Sequence, residues 1–195
     1  MQKLMTRAEE AKKNQRNQLI IGIILVGLMI FSTAGYSLMD KSGTSGSNSE
    51  VTYKGINFVK SNEYWTFTSG GYEFITRYNP DELKDINVFN QLTLSNYKDK
   101  PLYFVTDSGQ PEQEIARNLN QRFALRIQNA CISEKNCLQS LPVKNCSVDN
   151  VIIIKDISEG ETPNIYQDGN CVYINAPQIN QTMYADALLF NILGI

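Results

Sequence analysis

The sequence of 195 residues contains no histidine, and this absence excludes several kinds of catalytic and metal site. A Ser-His-Asp triad, a Cys-His pair, an HExxH zinc site and an imidazole acid or base all need the side chain that the chain lacks. The chain also has no basic excess, since its net charge is −2 and its pI is about 5.3. Because nucleic-acid binders neutralise phosphates with clustered Lys and Arg, we expect no nucleic acid among its partners.

Charge is also missing from residues 19–39, LIIGIILVGLMIFSTAGYSLM. A helix over this run is about 31 Å long, which matches the hydrocarbon thickness of a bilayer, so we predict a transmembrane helix there. A cleaved signal peptide is the alternative, because Ser32, Thr33 and Ala34 are small residues of the kind found at cleavage sites. The long polar segment before the run, and its continuation to Met39, favour a retained anchor.

The residues that flank the run predict its orientation. Residues 1–18 contain Lys3, Arg7, Lys12, Lys13 and Arg16, whereas only Asp40 and Lys41 follow the run closely. By the positive-inside rule, residues 1–18 form a basic cytoplasmic tail and everything after Met39 is extracellular. The predicted localisation is therefore the cell membrane, with a single pass.

A composition change divides the remainder of the chain. Residues 40–50, DKSGTSGSNSE, are typical of a flexible Gly/Ser linker. Residues 51–195 have a globular composition and are numerous enough to bury a core, so we predict one extracytoplasmic domain.

All four cysteines lie in this domain, as an oxidising compartment would allow. Their spacing includes no CxxC, which favours structural disulfides over a zinc site. Four cysteines allow three connectivities, and the sequence alone does not choose among them. The pairing we expect is Cys131 with Cys137, which closes a small loop, and Cys146 with Cys171.

The first half of the domain has the pattern of short antiparallel strands. Aromatic, alternating segments occur at residues 53–60, 64–69 and 72–78, with Gly70-Gly71 as a hairpin turn. They predict a three-stranded meander, followed by a turn at Pro80 that Asn79 caps.

The second half predicts a mixture of strands and helices. Residues 101–106 and 151–154 are apolar runs typical of buried parallel strands, and Pro111 opens a helix with an apolar stripe from Ile115 to Ala130. A hairpin at 164–175 and a helix at 183–193 complete the domain. The fold class predicted is α+β, with a possible α/β core: a transmembrane helix, then two layers containing the meander, a βαβ-like unit, the hairpin and the C-terminal helix.

Several segments of residues 50–195 carry a resemblance: GINFVKSNEYWTFTSGGYEFITRYNPDELKDI, LPVKNCSVDNVIIIKDI, NIYQDGNCVYINA and the final DALLFNILGI. Together with the N-terminal anchor, they resemble a group of uncharacterised, single-span membrane-anchored proteins from archaea. The resemblance implies the anchor and the Cys146–Cys171 pairing, and it implies no activity. The chain departs from that group at Asp186-Ala187, where those proteins often have an acidic-basic pair.

Two carboxylates are the candidate site residues. Asp107 and Asp156 each follow a predicted parallel strand, and ligands of open α/β sheets bind beyond the carboxyl ends of strands. There they could bind a cation or share acid-base work, or they could simply cap turns.

We therefore expect a non-enzymatic module that binds another envelope protein or a surface ligand, and that needs no cofactor. The alternative is a metal-dependent or hydrolytic enzyme that uses Asp107 and Asp156. Beyond these two candidate ligands, the sequence predicts no catalytic, cofactor-binding or metal-binding residue.

Overall fold

The computed structural model describes residues 17–18, 20–26, 28–29, 49–107, 109–120, 122–135, 137–158 and 160–195. The chain separates into two units, Met1–Ser47 and Asn48–Ile195. In the first unit the described residues are helical. No helix of the described residues has the length and apolar character needed to cross a membrane. Most of the predicted tail and linker, and the predicted span apart from residues 20–26 and 28–29, lie outside the described residues.

The second unit begins with an antiparallel sheet of four strands in chain order. The strands are β1 (Glu50–Tyr53), β2 (Ile56–Ser61), β3 (Tyr64–Ser69) and β4 (Tyr72–Thr76). The predicted three-stranded meander is therefore wrong by one strand, because the predicted strand 53–60 is divided into two. Lys54 and Gly55 have φ values of 47° and 81°, so they form a tight hairpin turn of the kind that joins β1 and β2.

A second, six-stranded mixed sheet has the strand order β5-β9-β10-β8-β6-β7. Its strands are β5 (Val88–Phe89), β6 (Pro101–Thr106), β7 (Arg126–Asn129), β8 (Asn150–Lys155), β9 (Asn164–Asp168) and β10 (Cys171–Asn175). Strands β6 and β8 are parallel neighbours, with Thr106 beside Ile154, which confirms the predicted arrangement. Strands β9 and β10 form the predicted hairpin. The short strands β5 and β7 have no clear signal in the sequence.

Three α-helices belong to this unit: α1 (Leu94–Tyr97), α2 (Gly109–Leu119) and α3 (Gln181–Leu193). Helix α2 is shorter than its predicted apolar stripe, because Ile127 of that stripe lies in β7 and faces the same core from a strand. Helix α3 ends at Gly194, which has a φ of 74° and caps it as predicted. Two 3-10 helices, Pro80–Leu83 and Gln178–Asn180, occupy turns, and Asn79 caps the first of them.

Helices α2 and α3 pack on each other and contact both sheets. On the side of the first sheet, the Phe190 ring lies 5.8 Å from Phe58 and 5.5 Å from Phe67, measured between ring centroids. On the side of the second sheet, side chains of the two helices belong to the same hydrophobic cluster as Phe104 and Ile152. The helices therefore lie between the sheets, and the domain has three layers where the sequence predicted two. The α+β class is confirmed.

On the other face of the second sheet, Ala130 and Cys146 pack in a second hydrophobic cluster with Tyr103, Val151 and Ile153. Disulfides join Cys131 to Cys137 and Cys146 to Cys171, with Cα atoms 5.8 Å and 4.9 Å apart. Both predicted pairings are confirmed. Two disulfides in one small domain are typical of an extracellular or exported protein.

Candidate functional site

The carboxyl ends of β6 and β8 meet at one edge of the second sheet. Strand β6 continues through α2 to β7, which lies on the side away from β8. Strand β8 continues to the β9–β10 hairpin, which lies on the side away from β6. Connections that diverge in this way leave an opening between neighbouring strands, and such openings are the usual ligand sites of α/β sheets. Asp107 and Asp156 are the first residues beyond the two strands.

Asp156 has a structural role at this edge. Its Oδ1 accepts hydrogen bonds from the backbone N–H groups of Ile157 and Gln178, at 3.1 Å and 2.9 Å. It therefore fastens the turn after β8 to the 3-10 helix that precedes α3. Turn capping, one of the two roles that the sequence allowed, is what the structure shows for this residue.

Asp107 lies in a different environment, on the wall of a cleft of about 300 Å³. The cleft is open to solvent between the end of β6 and the loop that follows β7, so it lies on the β7 side of β6 and not in the opening between β6 and β8. Ser133 and Lys135 contribute further polar groups to it, and Val105, Leu138 and Leu141 contribute apolar surface. We call it the Asp107 cleft. Of the two carboxylates predicted to act together, the structure brings only Asp107 to the lining of this cleft, among the residues it describes.

The wall opposite Asp107 is held by local covalent and hydrogen bonds. The Cys131–Cys137 disulfide closes the loop that carries Ser133 and Lys135. The backbone of Cys131 donates to Pro142 at 3.0 Å and accepts from Lys144 at 2.7 Å. These contacts join the two ends of the segment 131–144 and give this part of the cleft a defined wall.

The charges of the Asp107 cleft are not paired with each other. The salt bridges between described residues include neither the Asp107 carboxylate nor the Lys135 ammonium. By contrast, the Lys144 ammonium lies 3.3 Å from Asp149 and 4.1 Å from the centroid of the Tyr103 ring. Two residues of opposite charge therefore line one small cleft, and neither forms a salt bridge with another described residue.

A second polar cluster lies under the same loop. Tyr103 is 2% exposed, and its hydroxyl accepts a hydrogen bond from Nη2 of Arg126 at 2.9 Å. Lys144 and then Arg126 lower the pKa of the Tyr103 hydroxyl, because both cations favour the phenolate. These partners already surround the hydroxyl, so we assign the cluster to the attachment of the loop.

The most buried charged groups lie between the first sheet and the helices. Glu114 of α2 accepts from Nε of Arg77 at 3.0 Å and lies 3.3 Å from Nη2 of Arg117. Oδ2 of Asp186 on α3 accepts from the backbone N–H groups of Arg77 and Tyr78, at 2.9 Å and 3.0 Å. Burial, with a smaller contribution from the nearby Glu114, raises the pKa of Asp186 to about 8, although the two hydrogen bonds act in the opposite direction.

This cluster joins the end of β4 to both central helices, so we assign it a structural role. Sequence reasoning did not identify it. The available signal was Asp186 itself, the one charged residue between Met183 and Leu193.

Metal chemistry has little support from the residues described. No group of three or more His, Cys, Asp or Glu side chains among them could hold a metal ion.

Comparison with protein-family models, with curated proteins and with solved structures finds no match for this chain. The proposals below therefore start from the geometry of the domain itself.

Proposed function

We propose that this chain is a membrane-tethered, extracytoplasmic binding module, and that the Asp107 cleft is its ligand site. The observation that carries the proposal is the pair of opposite, unpaired charges that line one cleft at the carboxyl edge of the parallel strands. Binding sites are typically concave and largely apolar, with a few polar groups that orient the ligand. The Asp107 cleft has this composition.

The location in the proposal is supported by the sequence. The apolar run at residues 19–39 is long enough to anchor the chain, and the Lys and Arg residues before it favour a cytoplasmic N-terminus. The two disulfides agree with an oxidising compartment for the domain. The resemblance to single-span archaeal proteins supports the same arrangement. The ligand is then either a small molecule outside the cell or a group on another envelope protein.

The enzymatic alternative requires more free side chains at the carboxyl ends of β6 and β8 than binding does. A shared metal or acid-base site needs both Asp107 and Asp156, but Oδ1 of Asp156 already accepts two backbone hydrogen bonds. Binding needs only Asp107 and Lys135, which form no salt bridge with other described residues. We therefore favour a non-enzymatic role.

A ligand screen tests this function. The full chain in non-ionic detergent is heated in the presence of a library of small polar compounds, and its unfolding midpoint is recorded. We expect at least one compound to raise the midpoint, because a ligand that binds only the folded state stabilises it. Asp107→Asn should abolish that shift, whereas Glu134→Gln, which removes a charge from the same loop outside the cleft lining, should preserve it.

Two results would overturn the proposal. One is a library without any compound whose effect depends on Asp107. The other is a compound that the protein converts rather than binds, with conversion lost in both Asp107→Asn and Asp156→Asn. The second result would establish the enzyme instead.

A further inference from the structure

We propose that the Asp107 cleft takes a zwitterion, an apolar amino acid or a dipeptide, with its ammonium on Asp107 and its carboxylate on Lys135. This inference rests on the proposed function and names the ligand class of the same site.

The first step of the argument is charge. Asp107 and Lys135 line the same cleft, yet their charged groups do not meet within salt-bridge distance. A purely cationic ligand would be repelled by Lys135, and a purely anionic ligand would be repelled by Asp107. A ligand with one charge of each sign satisfies both groups, and hydrogen bonds between ionised partners are the stronger kind.

The second step is hydrogen bonding around Lys135. Oγ of Ser133 accepts a hydrogen bond from the backbone N–H of Lys135 at 3.2 Å. A serine hydroxyl that accepts one bond can still donate its proton. Ser133 can therefore donate to the ligand carboxylate beside the Lys135 ammonium.

The third step is the apolar lining. Leu138, the residue that follows Cys137, is 69% exposed, and Leu141 and Val105 also line the cleft. Covering such surface stabilises a complex in proportion to the apolar area removed from water. An aliphatic ligand side chain would supply this cover, which a small inorganic ion could not.

The fourth step is size. A cleft of about 300 Å³ lies at the lower end of the range for small-molecule sites, about 300–1,000 Å³. An amino acid or a dipeptide fits such a volume, whereas a long peptide would extend beyond it.

The experiment uses calorimetric titration of the full chain in non-ionic detergent with four probes. They are leucine and leucyl-leucine, which carry both charges, leucinamide, which carries only the ammonium, and 4-methylpentanoate, which carries only the carboxylate. We expect a zwitterionic probe to bind and each singly charged analogue to bind roughly tenfold or more weakly, since each analogue loses one charged hydrogen bond.

Variants assign each charge to its partner. Asp107→Asn should weaken leucine binding roughly tenfold and leave 4-methylpentanoate binding unchanged or improved, because that probe has no ammonium and is repelled by the Asp107 carboxylate. Lys135→Gln should weaken leucine by a similar factor and leave leucinamide unchanged or improved. Glu134→Gln should bind all four probes as the natural chain does. All three positions are exposed, and unchanged unfolding midpoints without ligand will show that the variants fold.

Leucinamide that binds as tightly as leucine would overturn the zwitterion, and so would the absence of binding by both zwitterionic probes. The library screen separates this failure from that of the proposed function. If the screen still finds an Asp107-dependent ligand of another class, only the zwitterion is wrong. If it finds none, the cleft is not the ligand site.

Discussion

At the scale of single residues, Asp186 shows how a folded chain can change the chemistry of a carboxyl group. Its side chain is fully buried on a helix with no other charged residue, and Oδ1 has no hydrogen-bond partner among the described residues. Burial disfavours the charged form, so the pKa rises from 3.8 to about 8. The folded protein therefore holds this proton more tightly than the unfolded chain does. Consequently the free energy of unfolding falls as the pH rises from about 4 to about 8.

The substitution Asp186→Asn tests this dependence. The amide oxygen can still accept from the backbone N–H groups of Arg77 and Tyr78, but the side chain no longer ionises. We expect little change in stability at or below about pH 4, and a variant that becomes progressively more stable than the natural chain as the pH rises to 8. The measurement is the unfolding midpoint of the full chain across this pH range. Asp85→Asn, at an exposed position, is the control, and an unchanged pH profile in Asp186→Asn would contradict the account.

At the scale of elements, the turn of the β9–β10 hairpin is predicted by its local sequence, and a contact with a distant segment also requires its glycine. Asp168-Gly169 predicts a tight turn, and Gly169 has a φ of 59°. The structure adds a second reason for glycine, since a Cβ at this position would lie 2.6 Å from the carbonyl oxygen of Cys146. That carbonyl accepts a hydrogen bond from the N–H of Asn170 at 2.7 Å. The turn is thus pressed against the loop that the disulfide attaches to it.

We expect the Cys146–Cys171 disulfide to contribute more to the free energy of unfolding than Cys131–Cys137, which closes a shorter loop. It joins positions 25 residues apart, whereas Cys131 and Cys137 are six apart. On the chain-entropy model, serine at both Cys146 and Cys171 lowers the free energy of unfolding by about 3 kcal/mol, and serine at both Cys131 and Cys137 by about 2 kcal/mol. Chemical unfolding of the full chain under non-reducing conditions measures both losses. Equal or inverted losses would mean that native packing, rather than loop closure, sets the effect.

At the scale of the whole molecule, the linker and anchor proposed from the sequence define where the domain works. A folded domain with two disulfides at the end of a Gly/Ser-rich segment would sample the space next to the membrane. The Asp107 cleft would then meet ligands outside the cell, which agrees with its open, solvent-facing position. This arrangement makes the orientation of the chain a prerequisite for the proposed function.

Protease treatment of intact cells tests that orientation. With an epitope tag at each terminus, external protease should remove the C-terminal tag and its domain, while the N-terminal tag stays protected until the cells are lysed. The reason is the excess of Lys and Arg before the apolar run, which retains that flank in the cytoplasm. A C-terminal tag that is lost only after lysis would contradict both the topology and the extracellular ligand.

The features that the sequence by itself determined are those that depend on near neighbours along the chain. The Gly70-Gly71 turn, the β9–β10 hairpin, the Gly194 cap and the buried strands β6 and β8 all follow from local pattern, because backbone preference and burial periodicity act over a few residues. Prediction from local pattern was wrong at Lys54-Gly55, where a turn without a strong sequence signal divides the predicted strand 53–60. It also failed where an apolar stripe passed from helix α2 into strand β7.

Only the tertiary structure decided which charged groups meet. The guanidinium of Arg77 and the carboxylate of Glu114 are 37 positions apart, and their contact depends on how the first sheet packs on the central helices. Asp107 and Asp156 look equivalent in sequence, since each follows an apolar strand. The fold gives Asp156 two N–H donors and places Asp107 in the lining of a cleft that Lys135 also lines. Long-range packing sets the partners of a side chain, and its partners determine whether it can bind a ligand.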